Sequence, residues 1–245
     1  EIKKTLAKLA SLERQNGIHK DDSRFLTPEE GYQLILLLVV MDDNPKALRD
    51  RLITAVSLMS GHRTTMTAQI KIEQLMNLGV DQSDIIIKTP AFKTANETPT
   101  VLPYTGMQFC PATWVREYIK ADGRTEGFLF QELAKGTMKA LSRQTINKIS
   151  QDVIASAGVY GGKITANSFR KTMATLAAMQ GVSGIEIAAQ GSWSSVDTIN
   201  NHYIPAAVAL NGSAPKAVLS AISQVSHKVE ALEQVAVPAI SHSGT

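Results

Sequence analysis

Two side chains that could take part in a reaction lie near opposite ends of the stretch SFRKTMATLAAMQGVSGIEIAAQGSWSSVDTINNHY. Arg170 occupies an otherwise apolar run rich in Ala and Met, and Tyr203 follows a Gly-Ser-Trp-Ser-Ser turn. A guanidinium on an apolar helix face must find an anion or carbonyl groups, because burying an unpaired charge is costly. The ordinary roles would be a structural salt bridge for the arginine and a half-buried core position for the tyrosine. The alternative is an anion site with a phenol beside it.

The elements that must position these side chains are predicted to be mostly helical. Thr27 is a candidate N-cap, followed by Pro28 at the first helical position and by two glutamates. Gly61 is placed to end the apolar helix of 45–61 in a left-handed conformation. Hydrophobic periodicity predicts further helices over 111–121, 142–157, 165–179, 183–190 and 195–203.

One short antiparallel pair of strands interrupts the helices. Residues 84–88 (DIIIK) read as a strand, a loop carrying Lys93 follows, and residues 100–104 (TVLPY) read as the return strand. The fold class predicted is therefore mainly α with a small antiparallel β-sheet (α+β).

Both ends of the chain differ in pattern from the middle. Residues 1–25 read as an amphipathic helix and a polar linker, residues 26–210 as the main domain, and residues 211–245 as a C-terminal helix and tail. Apolar residues recur in the tail in steps of four and three, a narrow heptad stripe. They are Val218, Ile222, Val225, Val229 and Leu232. This helix packs either on its own domain or on a neighbouring subunit. Because the chain begins at Glu1 rather than Met, we expect it to be a fragment.

Composition narrows the class of protein. With 44% hydrophobic and 19% charged residues, the chain has the composition of a folded globular protein. Its net charge of +3 permits a nucleic-acid partner without requiring one. The single cysteine, Cys110, rules out a disulfide framework and suggests a reducing cytosol. No apolar run approaches the roughly 18 residues of a membrane span.

Residues 26–205 as a whole resemble the catalytic domain of the tyrosine recombinase (phage integrase) family. The match lies in the order and spacing of LTPEEGYQLI, LRDRLITAVSLMSGHR, KTANETPTVLP, LSRQTINKISQDVIASAGVYGGKITANSFRKT and QGSWSSVDTINNHYIP. The resemblance assigns the family's catalytic positions to five residues. They are the first arginine, Arg63; the lysine of the β-hairpin, Lys93; the second arginine, Arg170; the His-or-Trp position, Trp193; and the nucleophile, Tyr203.

The chemistry implied by this resemblance is cleavage and rejoining of DNA strands. Two arginines can clamp the non-bridging oxygens of a phosphodiester as negative charge grows on them. Tyr203 would attack the phosphorus and form a covalent 3′-phosphotyrosine, and Lys93 would protonate the departing 5′-oxygen. This reaction requires no metal and no cofactor, and the sequence offers no recognisable cluster of metal ligands.

Three positions depart from the family pattern. Asn167 stands three residues before the second arginine, where His is usual, and an amide cannot shuttle a proton. Met66 occupies a position that is commonly acidic. The spacing from Trp193 to Tyr203 is one residue longer than usual, which a loop residue would absorb.

Several residues compete for these roles. His62 and His202 flank catalytic candidates, and either could replace the missing histidine or be a bystander. Lys88 is the second candidate for the lysine role. Trp193 could donate its indole N–H to the phosphate or only fill the core.

The leading interpretation is a site-specific tyrosine recombinase acting on double-stranded DNA as a homo-oligomer. The resemblance implies a tetramer, with the C-terminal helix joining subunits, in the cytoplasm of a bacterium or archaeon or encoded by a phage or plasmid. The alternatives are a DNA-binding protein of the same fold with weakened chemistry, and a hairpin-telomere resolvase or strand-relaxing topoisomerase using the same phosphotyrosine. A metal-dependent nuclease or transposase would need clustered carboxylates.

Overall fold

The described part of the protein is helical around one three-stranded sheet. The computed structural model describes residues 23–88, 99–132 and 139–204. The helices are α1 (Pro28–Val40), α2 (Pro45–Ser60), α3 (Thr64–Gln69), α4 (Pro111–Asp122), α5 (Arg143–Ser156), α6 (Ala166–Met179), α7 (Gly184–Gln190) and α8 (Val196–His202). The strands are β1 (Leu75–Met76), β2 (Ile85–Ile87) and β3 (Thr100–Leu102), and a short 3-10 turn (Ile72–Gln74) precedes β1.

Local sequence signals explain where the helices begin and end. The Thr27 hydroxyl accepts from the Glu30 amide, and the Glu30 carboxylate accepts from the Thr27 amide, a reciprocal cap at the start of α1. Gly61 ends α2 with φ of 63°, a conformation that costs glycine little. The caps predicted at these two residues are confirmed.

The core of the domain is built around α2. This helix packs against α4, α5 and α6 and also touches β3. Its apolar side chains, including Leu52, Ile53 and Val56, are fully buried. A helix covered by neighbours on most faces is a rigid base, and the segment that carries Arg63 follows directly from its C-terminal end.

The sheet is antiparallel in the order β1-β2-β3. Ile85 pairs with Leu102 and Ile87 with Thr100, while Leu75 pairs with Ile87 on the other side of β2. The predicted strands at 84–88 and 100–104 are confirmed in shortened form. The sequence analysis missed β1, because a two-residue strand carries no periodic signal.

A second, smaller apolar cluster holds the end of the domain where Tyr203 lies. Ala174 of α6, Ile187 of α7 and Ile199 of α8 are buried together, and Trp193 and Tyr203 pack against them. None of the described helices combines the length and apolarity needed to cross a membrane. The predictions for residues 1–22, the Lys93 loop and the C-terminal helix lie outside the described residues.

Candidate active site

Five of the six predicted site residues line one cavity of about 360 Å³. They are Arg63, Asn167, Arg170, Trp193 and Tyr203. Two further cations, Arg143 and Lys171, share its wall with the hydroxyl residues Thr64, Thr65, Ser194 and Thr198. No carboxylate lines the cavity among the described residues. Its electrostatic character is therefore that of an anion site.

Arg63 reaches the cavity from the turn between α2 and α3. The left-handed Gly61 ends α2, and Arg63 occupies the position just before α3 with an extended backbone. Its side chain is exposed and forms no ion pair with any described residue. The guanidinium is thus held at the cavity by its backbone rather than by a carboxylate.

Arg170 reaches the cavity from within the protein. It lies on α6 and is only 6% exposed. Its Nη1 donates to the carbonyls of Gly61 and Gly191, each at 2.5 Å. Its Nη2 is buried and has no hydrogen-bond partner among the described residues. One nitrogen of the buried guanidinium therefore binds carbonyl groups, as the sequence analysis allowed. The other nitrogen still lacks a hydrogen-bond acceptor in the described part of the chain.

The charge of Arg170 is destabilised by its surroundings. Burial, together with the positive charge of Arg63, lowers the pKa of Arg170 to about 9, although Tyr203 acts in the opposite direction. An anion between the two guanidinium groups would reverse both unfavourable effects, since opposite charges stabilise the ionised forms of each other. The site is therefore organised to gain from binding an anion.

The ring of Trp193 packs against the guanidinium group of Arg170. The guanidinium carbon of Arg170 lies 3.4 Å from the centroid of the Trp193 ring, a cation–π contact. A Cβ on Gly191 would overlap the Trp193 ring, so this residue has to be glycine for the indole to lie where it does. Trp193 also packs against the second apolar cluster, and donation of its indole N–H to a phosphate stays a prediction.

Tyr203 lies at the C-terminal end of α8 with a half-buried side chain. Its ring meets Trp193 edge-to-face, with the ring centroids 5.8 Å apart. Trp193 and Tyr203 line the same cavity, so the longer spacing between them does not carry the phenol away from it.

Asn167 is exposed in the first turn of α6. Its amide side chain can donate to and accept from a ligand in the cavity but cannot transfer a proton. Met66, the other departure in residue type, is buried in α3 and supplies no carboxylate to Arg63. The roles assigned to the six residues stay predictions, and Lys93 lies outside the described residues.

The proposed substitutes for the missing histidine do not lie on the cavity. His62 is 2% exposed and its Nε2 lies 2.8 Å from Thr100 Oγ1. Burial, aided by the charge of Arg170, lowers the pKa of His62 to about 3, so the ring is neutral near pH 7. His202 and Lys88 are exposed, and neither lines the cavity.

We expect His62 to make the protein sensitive to acid. Its folded pKa lies below the ordinary histidine value of 6.5, so on acidification the unfolded chain binds a proton that the folded chain does not. The free energy of unfolding is not reduced by this group above pH 6.5, and it falls as the pH drops from 6.5 toward 3. Between pH 7 and 4.5 the loss is about 2–3 kcal/mol, at about 1.4 kcal/mol for each pKa unit.

Urea unfolding at these two pH values measures this loss. The variant His62→Asn should lose less free energy of unfolding on acidification by that amount, because its side chain does not titrate. Equal acid sensitivity in the two proteins would show that His62 is not responsible.

The sequence analysis missed Arg143 as a cavity residue. It stands in the first turn of α5, one residue after the Ser142 N-cap, where an arginine is usually solvated. The fold brings it beside Thr64 and Asn167 from two other helices. Lys171, which follows Arg170 on α6, also lines the cavity.

No metal centre is evident in the part of the chain that the structure describes. There, no three His, Cys, Asp or Glu side chains lie together in a way that could hold a metal ion. Cys110 is buried at the start of α4 and is a free thiol.

A comparison with known protein families shows which family the chain matches. The model described as "Phage integrase family" matches residues 24–209, a span that contains all six predicted site residues. The chain belongs to the phage integrase family. The resemblance inferred from the sequence motifs is thereby confirmed.

Solved structures show that this integrase-family chain has the tyrosine recombinase fold. The XerH site-specific recombinase in a post-cleavage complex with palindromic difH substrate has a TM-score of 0.62 at 15% identity, over 83% of this chain and 56% of that one. XerA recombinase has a TM-score of 0.57 at 19% identity, over 75% and 62%. A lambda integrase dimer bound to a COC' core site has a TM-score of 0.51 at 16% identity, over 76% and 49%.

The integrase-family chain spans about half to three fifths of the length of these solved proteins. No curated protein matched it. At 15–19% identity the shared property is the fold, a mainly helical domain with a small antiparallel sheet, as the sequence predicted.

Proposed function

We propose that this chain is the catalytic domain of a site-specific recombinase that cleaves and rejoins double-stranded DNA through a covalent 3′-phosphotyrosine. The observation that carries the proposal is the convergence of Arg63, Arg170 and Tyr203 on one cavity without a carboxylate. Such a cavity attracts an anion and offers it a phenol as nucleophile. The relatives described above support DNA as the source of that anion, since two of their structures hold DNA sites.

The two arginines would stabilise the transition state. The buried Nη2 of Arg170 has a donor to give, and exposed Arg63 can approach from the solvent side. Charge grows on the non-bridging oxygens as the phenol oxygen bonds to phosphorus, and donors already in position need no reorganisation. Carbonyls of Gly61 and Gly191 hold Arg170 in that orientation before DNA arrives.

The covalent step would exchange one phosphate ester for another. The Tyr203 oxygen bonds to phosphorus, the bond from phosphorus to the 5′-oxygen breaks, and the phenol proton is released. The departing 5′-oxygen takes a proton from Lys93, the general acid that the family resemblance assigns. Resealing reverses these events with a 5′-hydroxyl as nucleophile, so that no external energy source is needed.

Covalent trapping tests the proposal. The protein is incubated with 40-base-pair duplexes of randomised sequence that carry a nick near the centre, so that the short cleaved piece diffuses away. We expect a protein–DNA adduct resistant to denaturant, attached at Tyr203 by peptide mass spectrometry, and sequencing of the trapped DNA gives the target site. Chelation of divalent metals should leave the yield unchanged.

A DNA-binding protein with weakened chemistry is the second candidate. It is favoured by one observation, the Asn167 amide in the cavity where a proton-shuttling group would be useful. Binding of duplex DNA without any adduct would support it over the enzyme.

We further propose that the protein acts in the cytoplasm as an oligomer assembled through residues 211–245. The heptad stripe of that segment needs an apolar surface to cover. An open groove of about 440 Å³ between α1, α2 and α6 offers one, with Ile35, Leu58 and Leu176 in its wall. The lambda integrase relative is a dimer on its DNA site.

A charge in this groove should prevent assembly. We expect Leu176→Asp to shift the DNA-bound protein from oligomer to monomer in sedimentation velocity, because a carboxylate in an apolar contact must be desolvated. Ile185→Asp is the matched control, since Ile185 is 70% exposed and does not line the groove. An unchanged oligomer in Leu176→Asp would place the contact elsewhere.

A further inference from the structure

A second cavity, of about 410 Å³, adjoins the one just described. Its wall is polar and includes two cations, Arg143 and Lys163, with the hydroxyl and amide side chains of Thr64, Thr165 and Asn167. Among the described residues, no carboxylate lines it. In a chain with 22 acidic and 25 basic residues, two neighbouring cavities without an acid are a local concentration of positive charge.

The two cavities share part of their walls. Thr64, Arg143 and Asn167 line both of them, so groups bound in the two cavities would be neighbours. The side chain of Arg143 is exposed and forms neither an ion pair nor a hydrogen bond with any described residue. Its guanidinium is positioned to serve an anion on either side.

The second cavity is formed before any ligand binds. Asn147 of α5 accepts from the Ala166 amide at the start of α6, at 2.9 Å, which joins the two helices that form its wall. The loop that carries Lys163 is tied to the beginning of the domain, because the Arg24 amide donates to the Lys163 carbonyl at 3.0 Å. The Arg24 side chain also donates to the Gly161 carbonyl at 2.7 Å. A preformed wall reduces the entropy lost on binding.

We infer that the second cavity binds the backbone phosphate adjacent to the scissile phosphate on the same strand, with Arg143 as the positioning residue between them. The inference rests on the proposed function. Successive phosphates of one strand are separated by about 3.4 Å of axial rise, so a strand entering the first cavity must place a second phosphate close by. Holding two consecutive phosphates fixes the register of the strand and presents one phosphorus atom to Tyr203.

Neutral phosphates test this assignment. The duplex recovered by covalent trapping is resynthesised with a methylphosphonate, which lacks the negative charge, at the position 5′ or 3′ of the scissile phosphate. Adduct formation at subsaturating protein is compared for wild type, Arg143→Gln and Lys148→Gln. Lys148 lies on the same helix, is exposed and lines neither cavity, so its substitution controls for a loss of net charge.

On unmodified DNA we expect Arg143→Gln to lower the adduct rate roughly tenfold, as for loss of one charge-assisted hydrogen bond. At one of the two positions the methylphosphonate should lower the wild-type rate by a similar factor and have no further effect in Arg143→Gln. Such coupling identifies the phosphate that Arg143 contacts, and a merely structural role for Arg143 would not produce it. Lys148→Gln should respond to the modification as wild type does.

The outcomes separate this inference from the proposed function. If wild type forms the Tyr203 adduct and neither position is coupled to Arg143, the second cavity does not hold a neighbouring phosphate and only this inference fails. If wild type forms no adduct on any duplex, the proposed function fails and the inference fails with it.

Discussion

Replacing Tyr203 with Phe is expected to abolish the covalent protein–DNA adduct. The phenylalanine keeps the ring, which packs edge-to-face on Trp193, and removes the oxygen that would attack phosphorus. DNA binding should stay within roughly twofold of wild type, because a single hydroxyl is removed.

Gel electrophoresis in denaturant measures the adduct, and fluorescence anisotropy with the same duplex measures binding. Thr198→Val is the matched control, because it removes another hydroxyl from the cavity wall without touching the phenol. An adduct that persists in Tyr203→Phe would exclude Tyr203 as the nucleophile, whatever the binding result.

Arg170→Lys is expected to lower the adduct rate by about 10²–10³-fold, the cost of removing one transition-state donor. A lysine keeps the charge but has one donor nitrogen, so it lacks the second nitrogen that Arg170 can direct at a phosphate while its Nη1 binds the carbonyls of Gly61 and Gly191. It also loses the flat contact of the guanidinium with Trp193. Single-turnover trapping on the recovered duplex measures the rate.

The control is another arginine that binds carbonyls away from the cavity. Arg116 donates to the carbonyls of Asn77, Val80 and Ser83 and does not line the cavity. Arg116→Lys therefore disturbs local structure away from the cavity. Urea unfolding shows whether each variant is folded. If Arg116→Lys slows the reaction as much as Arg170→Lys does, the effect is one of stability and not of charge stabilisation.

The helices of this protein were predictable because their signals are local. The N-cap at Thr27, the C-terminal glycine at Gly61 and the apolar periodicity of residues 165–179 act within one or two turns. The 3-10 turn and β1 were not predictable, because Leu75–Met76 becomes a strand only when Ile87 and its neighbour present a free edge. Pairing between distant residues overrides weak local preference.

The candidate site likewise contains residues that the sequence could identify and residues whose place only the structure shows. Arg63, Arg170 and Tyr203 could be picked out because an isolated cation and a phenol on apolar helices are conspicuous and match a family pattern. The sequence left His62 open as a substitute for the missing histidine or a bystander, because its place beside Arg63 fits either. Only the packed structure shows its ring turned into the core against Thr100.

The sequence by itself determined the order of helices and the family, because residue type and short-range spacing encode these properties. The tertiary structure decided which hydrogen-bond donors of the candidate site are available to a ligand. Arg170 meets Gly61 across 109 residues of chain and Gly191 across 21, which satisfies one nitrogen and leaves the other without a partner among the described residues. It also brought Arg143 to the wall shared by two cavities, a result of helix packing that no local pattern records.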